Sequence, residues 1–215
     1  MYELYYYPGN ASITPHVLLE EIGAPFQLHL VERARNEQKS VAYKKLNPRG
    51  LIPVLVDGDT VLYETAAICL YLSDKHPDAA LAPPCGTAER GHFYKWLMFL
   101  ANTVHPDTLI YFYPERYTLE ATGDVGVGAI KDAVEERLTE MFQFIDAQLV
   151  KGGPYLMGEQ VSLADHYLLM LARWGRNMKT PPRDMRHLRR NVELMLARPA
   201  VQRALATEGL SAPIF

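Results

Sequence analysis

The sequence predicts an α/β domain followed by an all-α domain. Strand-like and helical segments alternate between Tyr2 and His76, whereas every long segment after Glu89 has helical periodicity. Between the two lies Pro77 to Gly86, whose prolines and small residues are typical of a linker. A chain of 215 residues that is 48% hydrophobic is long enough for two cores. We therefore expect domains at 1–78 and 87–215, joined by a linker at 79–86.

The first domain opens with an aromatic strand and a short helix. The run Tyr2–Tyr7 favours a strand, and Pro8-Gly9 ends it. A helix is expected from about Ser12, with Pro15 tolerated in its first turn and Gly23 as its stop. Residues 26–31 then alternate as a second strand does.

The rest of this domain completes a sheet with helices on both faces. Residues 32–46 are polar and indicate a loop with a short helix. Two strands flank the turn Asp57-Gly58-Asp59, and a helix runs from Thr65 to about His76, before Pro77. The order βαβαββα is the thioredoxin-like arrangement. The redox chemistry usual for it needs a CxxC motif, and the sequence has none.

The second domain is predicted to be entirely helical. At its clearest signal, Ser162 and Asp165 form a capping box with an acid in place of the usual Glu, which indicates a folding role. The expected helices are Glu89 to about Pro106, Val125–Val150, Leu163–Asn177, Met185–Ala197 and Ala200–Thr207.

Composition excludes several classes of function. A net charge of -3 and a pI near 6.2, without a run of basic residues, do not favour nucleic-acid binding. Cys69 and Cys85 have no metal-type spacing, so we expect no metal site, and two thiols without structural disulfides fit a reducing compartment. About 18 consecutive apolar residues, the length of a membrane span, occur nowhere. Cytoplasm is the default expectation.

One stretch combines a backbone edge with a helix start. If the Ile52-Pro53 peptide bond is cis, the backbone of Ile52 faces outward and can pair with a peptide-like ligand. The helix that opens at Glu64-Thr65 aims unpaired N–H groups at whatever lies before it. Together they favour a receptor for a carboxylate beside a short backbone edge. An ordinary hairpin leading into a helix is the alternative.

This stretch resembles the glutathione-binding half of the glutathione S-transferases, and the resemblance covers Asn47 to Leu55 and Tyr63 to Leu72. The resemblance implies that Ile52, ahead of a cis Pro53, pairs with the cysteinyl backbone of glutathione, and that Glu64 and Thr65 hold its γ-glutamyl end. Ser162 and Asp165 resemble the family's box in the second domain. Glutathione is therefore the expected co-substrate.

The turn after the first strand is most similar to the bacterial beta class, with one departure. Tyr5 to His16 nearly reproduces its Tyr-Tyr-x-Pro-Gly-x-Cys-Ser-x-x-Pro-His pattern, but Ala11 stands at the cysteine. A glutathione thiolate then needs other donors at a helix N-terminus. The candidates are Ser12, Asn10 and Tyr6. Helix capping, turn preference and strand packing, respectively, explain the same residues.

Further contacts follow from the resemblance alone. His105 matches a histidine that reaches glutathione in beta-class relatives, and Lys39 and Arg35 are candidates for its glycine carboxylate. A set of aromatic residues would line an apolar electrophile pocket, although packing in the core explains them as well. The set is Tyr111, Phe112, Tyr113 and Tyr117, with Phe99 and Trp174. For His105, the alternative is a histidine whose hydrogen bonds are already satisfied within the protein.

The resemblance implies a homodimeric transferase that conjugates glutathione to apolar electrophiles or reduces peroxides with it. Because Ala11 removes the expected cysteine, a glutathione-binding or regulatory protein without turnover is the alternative. A specialised isomerase or dehalogenase on the same scaffold is a third. We expect neither nucleic acid nor membrane as a partner.

Overall fold

The computed structural model describes residues 1–119 and 123–215. They form two compact units. The first contains Met1–Ala82 and Leu196–Ala212, and the second contains Pro83–Met195 and Pro213–Phe215. The first unit thus takes in a C-terminal segment that the predicted ranges gave to the helical domain.

The first unit is built on a four-stranded mixed sheet in the order β2-β1-β3-β4. Strand β1 pairs in parallel with β2, where Leu4 faces Leu28, and antiparallel with β3, where Leu4 faces Leu55. β3 and β4 form the predicted hairpin. With its helices, this sheet confirms the thioredoxin-like arrangement. The strands are β1 (Tyr2–Tyr6), β2 (Phe26–Leu30), β3 (Val54–Asp57) and β4 (Thr60–Tyr63).

Four α-helices belong to this unit: α1 (Ile13–Ile22), α2 (Val41–Leu46), α3 (Thr65–Lys75) and α9 (Pro199–Thr207). α1 ends at Gly23, which adopts the left-handed conformation that glycine permits. The predicted apolar stripe of α3, formed by Ile68, Cys69 and Leu72, is fully buried.

Helix α9 belongs to the first compact unit, although it lies outside the predicted range 1–78. Its apolar side chains Val201 and Ala204 are fully buried, and it packs against α1. Two arginines, the N-cap residue of α9 and one residue inside it, pair with acids of α1: Arg198 with Glu21 and Arg203 with Glu20, each at 2.5 Å. The amphipathic pattern of α9 predicts a helix, but it does not say which unit receives the apolar face.

The second unit is helical among its described residues: α4 (Ala88–Phe99), α5 (His105–Phe112), α6 (Gly123–Gly152), α7 (Leu163–Trp174) and α8 (Arg186–Leu196). The prediction that a helix ends near Pro106 was wrong. A π-helical turn over Leu100–Val104 joins α4 to α5, and the His105 N–H donates to the Leu100 carbonyl. Pro106 has no N–H to donate, and the wider turn lets the chain continue as a helix to Phe112.

The capping box at the start of α7 is confirmed. Asp165 is completely buried, and its carboxylate accepts from the Ser162 N–H at 2.9 Å, the Leu156 N–H at 2.8 Å and Asn191 Nδ2 at 3.1 Å. Burial raises the pKa of this carboxyl, and the hydrogen bonds oppose that rise. The box therefore stabilises the interior of the helical unit. Across the described ranges, no helix is both long and apolar enough to span a membrane.

Candidate functional site

Two side chains hold the segment Asn47–Pro53, here called the proline loop. The carbonyl of Leu51 accepts from Asn47 Nδ2 at 2.8 Å and from the Tyr43 hydroxyl at 2.9 Å. Asn47 Oδ1 also accepts from the Arg49 N–H at 3.1 Å. Both Asn47 and Tyr43 are buried. The peptide group between Leu51 and Ile52 is therefore held by the side chains of Asn47 and Tyr43, two residues that the sequence analysis did not single out.

The loop presents an unused backbone edge at Ile52. The Ile52-Pro53 peptide bond is cis, and the pairing of β3 with its neighbours begins only at Val54. Neither the N–H nor the C=O of Ile52 bonds to another residue in the described part of the chain. Both groups remain available to an extended peptide-like ligand.

Gly50 allows the tight path of the proline loop. Its φ is +61°, and an added Cβ would lie 2.6 Å from the Gln38 carbonyl oxygen. Lys39 lies beside it, with Nζ donating to the Arg49 carbonyl at 3.3 Å. Arg35 is exposed, and its guanidinium makes no hydrogen bond or ion pair with the described residues. The structure thus brings Lys39, but not Arg35, to this loop.

Glu64 and Thr65 stand at the N-terminus of α3 in an unusual backbone geometry. Glu64 is the N-cap residue with φ +74°, a value that non-glycine residues rarely adopt. Its Oε1 accepts from Arg49 Nη1 at 2.5 Å. Thr65 is buried, and its hydroxyl bonds to no other described residue. Such a strained residue beside free polar groups points to ligand binding.

The segment Tyr7–Ser12 is here called the strand-to-helix turn. Of its two candidate donors to a thiolate, Ser12 and Asn10, the structure directs Ser12 elsewhere. The Ser12 hydroxyl is fully buried, donates to the Tyr7 carbonyl at 3.1 Å and accepts from the Tyr7 N–H at 3.2 Å. Its hydrogen is therefore directed at the backbone, and the side chain does not cap α1. Asn10 Oδ1 accepts from the Ala11 N–H at 2.7 Å, which leaves Nδ2 as a donor without a described partner.

A residue from the C-terminal segment fixes this turn. Glu208 Oε2 accepts from the Gly9 N–H at 2.7 Å, and its Oε1 lies 2.8 Å from His16 Nδ1. Both side chains are completely buried. Burial, followed by the charge of Glu208, raises the pKa of Tyr6, so its phenol stays protonated. With nearly two hundred residues between Gly9 and Glu208, no local pattern predicts this contact.

In the second unit, an aromatic cluster forms around Trp174. The centroid of its ring lies 5.1 Å from that of His105 and 6.2 Å from that of Phe112, and both pairs are edge to face. Tyr111 and Tyr113 each contact Phe112, at 5.5 Å and 6.4 Å. No described ring contact joins Tyr117 to this cluster, and Phe99 packs instead on Trp96 and Phe144. The structure brings together four of the six predicted aromatic residues.

His105 is held in this cluster in its neutral form. Its Nδ1 lies 2.8 Å from the Tyr167 hydroxyl, a contact that the sequence analysis missed. Burial lowers the pKa of His105 to about 4. At neutral pH the imidazole is uncharged, and its Nε2 makes no hydrogen bond to another described residue. It can therefore offer one neutral donor or acceptor, according to its tautomer.

Comparison with known proteins identifies the family of this chain. Residues 12–75 match the glutathione S-transferase N-terminal domain, and residues 104–199 match the C-terminal domain. The chain is 31% identical over 218 residues to glutathione S-transferase GstA of Escherichia coli O157:H7, covering 97% of this chain and 99% of that protein. It belongs to the glutathione S-transferase family.

Two solved structures illustrate the likeness. A beta-class glutathione S-transferase from Sphingomonas chungbukensis has a TM-score of 0.83 and 30% identity, over 97% of this chain and 100% of its own. A glutathione transferase homologue from Sulfitobacter, solved with bound glutathione, has a TM-score of 0.86 and 28% identity, over 98% of this chain and 99% of its own.

Proposed function

We propose that this protein conjugates glutathione to apolar electrophiles. One observation carries the proposal: the unused backbone of Ile52 lies in the same unit as the free hydroxyl of Thr65 and the carboxylate of Glu64. Two backbone bonds at Ile52 suit the cysteinyl residue of glutathione. Glu64 and Thr65 suit its γ-glutamyl end, and Lys39 suits the glycine carboxylate.

The proposed reaction is nucleophilic substitution or addition at carbon. The glutathione thiol loses its proton to solvent, and the thiolate forms a carbon–sulfur bond with the electrophile. In a substitution, the carbon–halogen bond breaks and the halide leaves with the electron pair. In an addition, the π bond of the electrophile breaks and the resulting carbanion takes a proton from solvent. The protein's contribution is to hold the thiolate among donors, since a thiol with a pKa of about 8.5 is mostly protonated near neutrality.

We assign the thiolate donors to the strand-to-helix turn and place Asn10 before Ser12. Asn10 Nδ2 is unpartnered among the described residues, whereas the Ser12 hydroxyl hydrogen is given to Tyr7. The protonated Tyr6 phenol is a further donor. The ultraviolet absorbance of the bound thiolate, titrated against pH, tests this order. Asn10→Ala should raise the thiol pKa, and Ser12→Ala should raise it less; the reverse order would return the role to Ser12.

Calorimetry and turnover together test the function. S-methylglutathione, which cannot react, should bind with a measurable Kd, and 1-chloro-2,4-dinitrobenzene should be consumed in the presence of glutathione. Reduction of cumene hydroperoxide by two molecules of glutathione, which gives the alcohol, water and glutathione disulfide, is a second assay, for the peroxidase activity that we propose as a further possibility of the same site. The proposal fails if S-methylglutathione does not bind.

A second candidate is a glutathione-binding protein without turnover. Ala11 supplies no thiol, and the neighbouring Ser12 hydroxyl is buried against the backbone. Binding of glutathione without an increase in thiolate absorbance would favour this candidate. Consumption of the chlorinated nitrobenzene would exclude it.

The remaining parts of the proposal concern the second unit and the assembly. The Trp174 cluster offers an apolar surface for the electrophile, and neutral His105 offers a hydrogen bond to glutathione. We propose a homodimer, as the family resemblance implies, and a reducing cytoplasm, consistent with the free thiols of Cys69 and Cys85. Light scattering after size exclusion tests the dimer, and His105→Ala tests the contact through the Kd of S-methylglutathione.

A further inference from the structure

The stretch from Arg173 to Arg190 concentrates positive charge in the second unit. It contains seven basic residues and one acid, although the whole chain carries a net charge of -3. Buried and polar residues interrupt the basic ones, so the sequence shows no continuous basic run. Four exposed arginines at the end of this stretch are here called the arginine cluster: Arg183, Arg186, Arg189 and Arg190.

The arginine cluster shares one exposed surface at the start of α8. Arg186, Arg189 and Arg190 belong to this helix, in which residues three and four positions apart are neighbours. Arg183 precedes the helix, and its carbonyl accepts from Arg189 Nε. The fold thus gathers the four side chains away from the buried side of α8, which consists of Leu188, Asn191, Val192 and Met195.

No carboxylate of the described residues pairs with the arginine cluster. Asp184 and Glu193 are close in sequence and exposed, but neither forms an ion pair with these arginines. Asp146 Oδ1 instead accepts from the N–H groups of His187 and Leu188, at 2.7 Å each. Its charge therefore compensates the N-terminus of α8 rather than a guanidinium.

The stability of the fold does not explain this arrangement. Like charges three or four positions apart weaken a helix, and Arg186 stands at the positive end of the helix dipole. Arg183 Nη1 donates to the Arg176 carbonyl at 2.6 Å, and Arg189 donates as described above, but each bond uses one of five N–H donors. The guanidinium groups of Arg186 and Arg190 make no hydrogen bond with the described residues. Most donors of the cluster remain available to a ligand.

These donors suit linked phosphate groups. A guanidinium binds two phosphate oxygens at once, which fixes the ligand more strongly than a point charge does. Arg186 and Arg190 lie about 6 Å apart along the axis of α8, a span that a short chain of linked phosphates covers. Between residues 173 and 198 no large apolar side chain is exposed. Because stacking on bases and insertion into a bilayer need such side chains, a compact polyphosphate fits better than single-stranded nucleic acid or a membrane.

We propose that the arginine cluster binds a compact polyphosphate, either inorganic or carried by a nucleotide. The proposal goes beyond the conjugation of glutathione and does not depend on it, because none of the four arginines has a role in that reaction. A bound polyphosphate would relieve the repulsion among the four positive charges. Binding should therefore also raise the Tm.

Calorimetry with inorganic tripolyphosphate on the whole chain tests the proposal. The buffer should contain about 0.1 M NaCl, which screens attraction over more than about 10 Å. Wild-type protein should bind one tripolyphosphate per chain. Arg186→Gln combined with Arg190→Gln should weaken this binding at least about tenfold, because two guanidinium forks are lost. The double variant should stay folded, since neither guanidinium bonds to a described residue.

A matched control removes the same charge from α2, in the first unit. Lys44→Gln combined with Lys45→Gln should leave the Kd of tripolyphosphate unchanged. Circular dichroism melts establish that both double variants are folded. Arg186→Lys combined with Arg190→Lys keeps the charge without the planar fork and should restore only part of the affinity.

Titration with ATP distinguishes the two sources of the phosphate groups. An affinity equal to that of tripolyphosphate supports an inorganic ligand, because the base and sugar then add nothing. Tighter binding of ATP supports a nucleotide.

Several results would overturn the proposal. If tripolyphosphate does not bind, or if both glutamine variants weaken it equally, the cluster is only a solvated face. Citrate that binds as tightly as tripolyphosphate would show unselective attraction of anions. A short DNA duplex, or vesicles containing phosphatidylserine, that bind more tightly than tripolyphosphate would assign the surface to a macromolecular partner instead.

Discussion

The proline loop and the strand-to-helix turn serve one proposed ligand, but they are held in place in different ways. Asn47, Tyr43 and Gly50 hold the loop, all within nine residues of Leu51. The turn takes its hydrogen-bond acceptor for Gly9 from Glu208, at the other end of the chain. The comparison teaches that the segment proposed to recognise the peptide is locally encoded, whereas the turn proposed to hold the sulfur depends on tertiary packing.

The largest expected effect tests the local character of the loop. Gly50→Ala places a Cβ 2.6 Å from the Gln38 carbonyl at φ +61°. It should lower the free energy of unfolding by about 3 kcal/mol and abolish binding of S-methylglutathione. Urea denaturation and calorimetry measure the two effects. Gly58→Ala is the matched control, because Gly58 has φ +58° but open space around it, and it should cost about 1 kcal/mol.

Removing Glu208 tests the dependence of the turn on the C-terminal segment. Glu208→Ala takes a completely buried partner from His16 and an acceptor from Gly9, which should cost about 2 to 3 kcal/mol in unfolding free energy. Turnover should fall at least tenfold, whereas the Kd of S-methylglutathione should change little.

Glu21→Ala provides the control for that loss. It breaks the ion pair with Arg198 on the same contact between α1 and α9, but it does not touch the turn. Its turnover should remain near wild type. If Glu208→Ala weakens ligand binding as much as it lowers turnover, the loop and the turn are not separate in the way proposed.

The pH dependence of stability extends the comparison to the second unit. Because burial lowers the pKa of His105 to about 4 from its ordinary 6.5, the unfolded chain binds a proton there before the folded chain does. Stability should therefore fall as pH drops from about 6.5 towards 4, by an amount on the order of 2 kcal/mol. Urea denaturation at pH 7 and pH 5 measures the fall. His105→Gln should make it smaller by that amount, and an equal fall in both proteins contradicts the assignment.

The smallest expected effect concerns the two side chains that donate to the Leu51 carbonyl, and it shows how much each contributes. Tyr43→Phe removes one hydrogen bond and leaves that of Asn47, so unfolding should become easier by about 1 kcal/mol. The Kd of S-methylglutathione should rise only a fewfold, as calorimetry would record. Asn47→Ala also releases the Arg49 N–H and should weaken binding more. Equal effects of the two variants would mean that the hydrogen bond from the Arg49 N–H to Asn47 adds nothing to ligand binding.

Much of the fold was predictable because its signals are local. Gly23 and the capping box of Ser162 with Asp165 mark helix boundaries through residues no more than four positions away. The helix boundary near Pro106 was not predictable in this way. A proline ordinarily ends a helix, and here a π turn just before Pro106 lets the chain continue.

By itself, the sequence determined the order of strands and helices, the buried stripe of α3 and the composition of the proline loop. Periodicity and short-range hydrogen bonding encode these features in neighbouring residues. The tertiary structure alone decided that α9 joins the first unit, that Glu208 holds Gly9, and that the Ser12 hydroxyl is directed at Tyr7. These outcomes depend on which distant groups meet in the interior, because a buried donor or acceptor pairs with whatever the packing brings to it.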